Sequence, residues 1–159
     1  MREEAFATIP THPETTAWRG GLLAGLAGGL VMGVVMSAMN PAVLSMAVPS
    51  LYGLAPPPNP VAGWVAHLAH AAVFGLFYAG VAHLAAVETS VVESTALGLA
   101  YGMVAWLLAA GIAMPLWLGA VGSPVAAGLP WPNLDPTSLL WHVVFGAVVG
   151  ATFPRLREL

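Results

Sequence analysis

Three histidines stand in sequence that is otherwise apolar. His67 and His70 are three residues apart in "GWVAHLAHAAVFG", and His142 lies in "SLLWHVVFGAVVGA". Between Arg19 and Glu88 the sequence contains no Asp, Glu, Lys or Arg. Imidazole can bind a metal or haem iron, make hydrogen bonds, or take up a proton near neutral pH. What the histidines do depends on the elements that hold them.

The composition is that of a membrane protein. Of the 159 residues, 58% are hydrophobic and 7% are charged, whereas a soluble domain has about 25% charged residues. The absence of cysteine excludes disulfides and thiolate metal sites. The net charge of -3 provides no basic patch, so we expect no nucleic-acid partner.

Four stretches are long and apolar enough to cross a bilayer, which takes about 20 residues in a helix. They cover approximately residues 20–40, 61–85, 95–115 and 137–154. We therefore predict an all-α integral membrane protein, with an N-terminal tail at 1–19 and a single transmembrane domain at 20–159. Asp135 is a candidate N-cap of the fourth helix, and Thr137 and Ser138 are alternatives.

The positive charges predict the orientation. The four arginines lie outside the first and last spans, at Arg2, Arg19, Arg155 and Arg157. The positive-inside rule then predicts a multi-pass protein of the plasma membrane with both termini in the cytoplasm.

The two connections on the outer side, 41–60 and 116–136, are nearly all apolar. We expect them to lie in the membrane interface or to dip between helices. Their neighbourhood is rich in aromatic residues that are candidates for an interfacial belt or for packing: Tyr52, Trp64, Trp117, Trp131 and Trp141.

The two halves of the chain resemble each other when one is shifted by 74 to 75 residues. Gly28 then matches Gly102, Pro41 matches Pro115, and His67 matches His142. Each half, about 20–85 and 95–154, contains two spans, so both enter the membrane from the same side. This predicts two helical hairpins related by a parallel repeat.

Glycines recur at helical spacing and predict close packing between helices. They are Gly21, Gly25, Gly29 and Gly33 in span one, Gly98 and Gly102 in span three, and Gly146 and Gly150 in span four. Together with the apolar connections they suggest a homo-oligomer or a larger membrane complex surrounded by lipid, and packing inside one chain is the alternative.

The histidines leave three interpretations open. They can be structural groups that bond a carbonyl, a serine or water within the bundle. They can be ligands, either a pair of axial ligands to haem b or, as His67, His70 and His142 together, a site for a transition metal such as copper or zinc. They can also handle protons or ions, although no carboxylate within the spans offers a relay partner.

The segments "NPAVLSMAVPSLYGL", "MPLWLGAVGSP" and "SLLWHVVFGAVVGA" resemble a group of small four-span membrane proteins found in halophilic archaea. The likeness covers most of the chain from Trp18 onward and carries over no activity. Some members of that group bear the label "histidine kinase". We expect no kinase here, because there is no room for an ATP-binding domain and the histidines lie in apolar helices.

The motifs of nucleotide, hydrolase and metalloprotease sites are absent from the sequence. We therefore predict a protein that is not an enzyme and has no catalytic residues, acting as a structural or accessory subunit of a membrane assembly. The alternative is a haem- or metal-binding protein that acts in electron transfer, and a small channel or carrier comes third.

Overall fold

The computed structural model describes residues 13–87 and 89–159, with side chains from Ala17 onward. These residues form α1 (Pro13–Met39), a π-helical turn (Val43–Ala47) continued by α2 (Val48–Ser50), and α3 (Pro60–Leu84). The second half contains α4 (Val91–Ala105), a π-helix (Trp106–Ala113), α5 (Met114–Ala120), a 3₁₀ turn (Pro124–Gly128) and α6 (Pro136–Leu156). The described residues contain helices and connections only, as the sequence predicted.

Four helical segments are long and apolar enough to cross a membrane: Ala17–Met39, Pro60–Leu84, Val91–Ala120 and Pro136–Leu156. They match the four predicted spans, with two differences. α1 begins at Pro13, inside the predicted tail, where proline suits the first turn of a helix. The third span does not end at Met114 and Pro115 but continues to Ala120. Residues 1–12 of the tail, and Glu88, lie outside the described residues.

The third span passes Pro115 because the preceding turns widen into a π-helix. Proline has no N–H and its ring collides with the carbonyl four residues earlier, which here belongs to Gly111. The wider turns accommodate the proline. The backbone N–H of Asn133 donates to the carbonyl of Gly111 at 2.8 Å, so this acceptor keeps a partner.

The first half uses the same device. Pro49 cannot donate to the carbonyl of Ser45, and the backbone N–H of Asn59 donates to it instead, at 2.7 Å. Away from water a carbonyl without a partner costs several kcal/mol, so these bonds satisfy the two acceptors that the prolines cannot serve. Leu44, Ala47 and Val48 are buried. This connection therefore dips between helices, one of the two placements expected.

The helices pack so that α1 contacts both α3 and α6, and α4 contacts α6. The connections 40–59 and 121–135 form one end of the bundle, here called the loop end. The opposite end, here called the terminal end, contains residues 85–87 and 89–90 and the first turns of α1, and Gly20 of α1 lies against Arg157, the residue that follows α6. Large side chains such as Phe77 and Val65 lie exposed on the outside of the bundle, as lipid-facing residues do.

The glycines predicted to pack lie between helices of this chain. Gly21 and Gly25 of α1 meet Gly75 of α3, and Gly98 of α4 meets Gly146 and Gly150 of α6. Three more meet larger neighbours: Gly29 lies against Ala71, Gly33 against Trp64, and Gly102 against His142.

The glycine contacts bear on the predicted match between Gly28 and Gly102. Gly29 and Gly102 make corresponding contacts with α3 and α6, whereas Gly28 faces Val149 and Phe145 of α6. The match of Gly28 with Gly102 was therefore one residue off in α1. Adjacent glycines hid this shift, because the sequence does not show which of the two faces a given helix.

Of the five aromatic residues predicted to form a belt or to pack, three are exposed and two are packed in the bundle. Tyr52, Trp117 and Trp131 are exposed at the loop end, with more than half of each side chain accessible. Trp141 is only 2% exposed and Trp64 is half-buried against the core. These two tryptophans are packing residues, and their positions near the helix ends did not distinguish them from the exposed group.

Candidate functional site

The loop-end half of the bundle encloses a cavity of about 640 Å³. It extends from Phe74 and Phe145, near the middle of α3 and α6, to the exposed Tyr52 and Trp117 at the loop end. α1, α3, α4, α5 and α6 all contribute to its wall, together with the π-helix and the connection around α2. The volume and the mostly apolar wall are those of a small-molecule site.

All three predicted site histidines line this cavity. His67 is buried at 7% exposure, and its Nε2 makes a hydrogen bond of 2.8 Å with the carbonyl oxygen of Gly29 on α1. Trp64 packs edge-on against its ring, with centroids 6.0 Å apart. Since a carbonyl oxygen only accepts, Nε2 carries the hydrogen in this bond. His67 thus ties α3 to α1, as the structural interpretation expected of a histidine in the bundle.

His70 lies one turn further along α3 and contacts Tyr52 of the connection 40–59. Its Nε2 shares a hydrogen bond with the hydroxyl of Tyr52, and the two rings stack with centroids 5.8 Å apart. This pair links the exposed connection to the wall of the cavity. His70 is thereby held beside an aromatic ring at the mouth.

His142 is half-buried on α6, and its Nδ1 donates to the carbonyl of Ser138 in the preceding turn, at 2.7 Å. This bond sets the neutral ring so that Nε2 carries the lone pair. A histidine fixed in this way is a suitable metal or haem ligand, because the second nitrogen is ready to bind. Of the three histidines, His142 has the geometry that best fits ligation.

The three histidines are not arranged as one metal site. Among the side chains that the structure describes, at 17–87 and 89–159, no group of three His, Asp, Glu or Cys is close enough to hold a metal ion. A haem b held by two histidines would also need partners for its two propionates. The described lining residues include no Lys or Arg, so the two haem propionates would meet neither side chain in the cavity.

Further polar side chains line the cavity at the loop end: Asn40, Asn133, Asp135 and Ser138. Asp135 is the N-cap of α6, as predicted, and its Oδ2 accepts from the backbone N–H of Ser138 at 2.8 Å. Its place in the cavity wall was not predicted. The available signal was that Asp135 is the only acidic residue between Glu93 and Glu158.

A cluster of three rings lies beyond the cavity, toward the terminal end. Tyr78 packs edge-on against Tyr101 and Phe153, with centroids 5.3 and 5.5 Å apart. The Tyr78 hydroxyl donates to the Ser94 carbonyl at 2.6 Å, and that of Tyr101 donates to the Phe74 carbonyl at 2.7 Å. These two bonds join α3 to α4. The sequence analysis missed the cluster, because which faces of α3 and α4 meet is decided by packing.

Comparison with protein-family models, curated proteins and solved structures gives no match. The class of this protein therefore follows from its fold and its cavity. Four apolar helices of membrane-spanning length define the architecture of a multi-pass membrane protein. Within that class, this chain is a four-helix bundle with a histidine-lined cavity in one half and an aromatic cluster in the other.

Proposed function

We propose that this protein is a non-enzymatic membrane protein that holds a small molecule in its histidine-lined cavity and serves as an accessory component of a membrane assembly. The main support for this proposal is the cavity. It has the size of a small-molecule site, a mostly apolar wall, and polar groups of Tyr52, His142 and Asp135 near one end. A purely structural bundle would gain stability by filling about 640 Å³ with side chains.

The proposed membrane arrangement has both termini in the cytoplasm and the loop end facing the outside of the plasma membrane. The arginines at the terminal end support it, through the positive-inside rule. Two hairpins, α1 with α3 and α4 with α6, related by a parallel repeat, follow from the same arrangement. The corresponding contacts of Gly29 and Gly102 support this repeat.

The glycine contacts bear on the proposed assembly. Because the glycine stripes are used between helices of this chain, they do not supply a surplus surface for another subunit. Support for a homo-oligomer or a larger complex comes instead from the exposed apolar side chains at the loop end, Leu54, Leu116, Trp117 and Trp131. In lipid these side chains can also lie against the membrane interface.

The second candidate function is binding of haem b or of a metal, and one observation favours it: the hydrogen bond from Nδ1 of His142 to Ser138. His67 would be the other ligand, but its Nε2 already bonds Gly29, so the ring would have to turn or bind through Nδ1. The cavity thus offers one well-prepared ligand. Because a second ligand is not prepared in the same way, binding of haem or a metal is the second candidate function.

The test is native mass spectrometry of the protein, purified from its own membrane in mild detergent. We expect one small molecule per chain. Ala109→Phe places a ring in the cavity wall and should abolish the adduct, whereas Ala100→Phe, on the exposed side of α4, should retain it. Ala113→Leu, at another lining position, repeats the test should Ala109→Phe not fold. An unliganded wild type, or equal adducts in all variants, would contradict the proposal.

A further inference from the structure

The charge of the cavity wall restricts what can bind there. Among the described lining residues, Asp135 is the only carboxylate and there is no Lys or Arg. Arg19, Arg155 and Arg157 lie at the terminal end, on the far side of the aromatic cluster. An anionic ligand would therefore face a carboxylate with no compensating cation.

The negative charge of Asp135 is partly offset by the N-terminus of α6. Asp135 caps this helix by accepting a hydrogen bond from the backbone N–H of Ser138. A helix N-terminus contributes about half a positive charge, so a net negative charge remains. Asp135 is half-buried at this end of the cavity, so its charge is screened less than that of a fully exposed carboxylate. It is a favourable place for one positive charge.

Three aromatic rings line the same end of the cavity: Tyr52, Trp117 and Trp141. Hydrogen bonds hold the polar edge of each ring. The indole N–H of Trp117 donates to the Leu51 carbonyl at 2.9 Å and that of Trp141 to the Met39 sulfur at 3.3 Å, while Tyr52 bonds His70. Aromatic faces attract cations, and organic ammonium groups in particular are recognised this way.

The deeper part of the cavity is apolar. Its wall there includes Met32, Met36, Ala71, Phe74 and Phe145, beside His67, whose Nε2 is engaged by Gly29. Methionine adapts its shape to irregular apolar ligands. This part suits hydrocarbon or aryl substituents, whereas a small hydrated inorganic ion would lose its water without gaining new oxygen ligands.

We infer that the cavity binds a monovalent organic cation with apolar substituents, placing the charge between Asp135 and the aromatic rings and the substituents against the methionines and phenylalanines. This inference rests on the proposed function, since it names the class of molecule that the cavity holds. It commits to the sign of the charge, which the proposed function leaves open.

Two probes of nearly the same shape and opposite charge test the inference: tetraphenylphosphonium and tetraphenylborate. Binding to the purified protein in uncharged detergent is measured by isothermal titration calorimetry, with empty micelles as the blank. We expect saturable binding of the phosphonium at one per chain and no saturable binding of the borate. Ala109→Phe should abolish binding of the phosphonium, which locates it in the cavity.

Asp135→Asn tests the role of the charge, because asparagine caps a helix as well as aspartate does and the fold is preserved. We expect the Kd for the phosphonium to rise by about tenfold or more, which corresponds to about 1.4 kcal/mol. Glu158→Gln removes an exposed carboxylate at the terminal end and should leave Kd unchanged.

The outcomes separate the two proposals. Binding of both probes with equal affinity, or no effect of Asp135→Asn, overturns the cation inference while a small-molecule cavity stands. Failure of both probes to bind, together with an unliganded wild type in mass spectrometry, overturns the proposed function itself. Binding of the phosphonium that survives Ala109→Phe places the probe elsewhere and also overturns the inference.

Discussion

Gly25 on α1 and Gly75 on α3 lie so close that a Cβ atom added to Gly25 would be 2.7 Å from the Cα atom of Gly75. Backbone meets backbone at this crossing, without an intervening side chain. Close approach of this kind stabilises helix pairs in lipid, where van der Waals packing replaces the hydrophobic effect.

Gly25→Ala should therefore force α1 and α3 apart. We expect the free energy of unfolding to fall by about 1 to 3 kcal/mol, the usual cost of overpacking. The measurement is unfolding in mixed micelles followed by circular dichroism. Gly119→Ala is the matched control, because nothing lies within 4 Å of the Cβ that it adds. Equal stability of the two variants would contradict the packing described here.

The hydrogen bonds of Tyr78 join α3 to α4. Tyr78→Phe removes the bonds to the carbonyl and hydroxyl of Ser94 and keeps the ring, so we expect a loss of about 1 kcal/mol in unfolding free energy. The same unfolding assay measures it. A double-mutant cycle with Ser94→Ala isolates the bond between hydroxyls, and a coupling energy of zero would show that this bond contributes nothing.

The absence of native cysteine allows a direct test of membrane topology. Single cysteines at Ser123, in the second connection of the loop end, and at Glu158, near the C-terminus, are treated in intact cells with a membrane-impermeant maleimide. We expect Ser123→Cys to react from outside and Glu158→Cys to react only after lysis. The reverse pattern would place the loop end in the cytoplasm.

The haem and metal alternative is tested by the absorption spectrum, oxidised and reduced, together with elemental analysis of the protein from its native membrane. We expect no Soret band and no stoichiometric metal. Among the described residues no three metal ligands lie together, and the described lining of the cavity has no Lys or Arg to pair with haem propionates. A chromophore or a metal near one per chain that disappears in His142→Ala would make ligation the primary function.

The sequence predicted the helices well because their length and apolarity follow from the bilayer alone. It also predicted the cap at Asp135, since capping needs only neighbouring residues. It did not predict that Asp135 and His70 line one cavity, or that Trp141 is buried, because these depend on how α1, α3 and α6 are rotated about their axes. For the same reason the sequence did not predict the hydrogen bonds that the histidines make. These join His67 to Gly29, His70 to Tyr52 and His142 to Ser138.

The ring cluster of Tyr78, Tyr101 and Phe153 has an electrical consequence. The cavity extends from the loop end to mid-bundle, so when it holds water the insulating layer at this point is only the half of the bundle that contains the cluster. The transmembrane voltage, worth about 2.3 kcal/mol per unit charge at 100 mV, would then fall mainly across these rings. A charge that moves within the cavity would sense little of the membrane field, whereas one that crossed the rings would sense most of it.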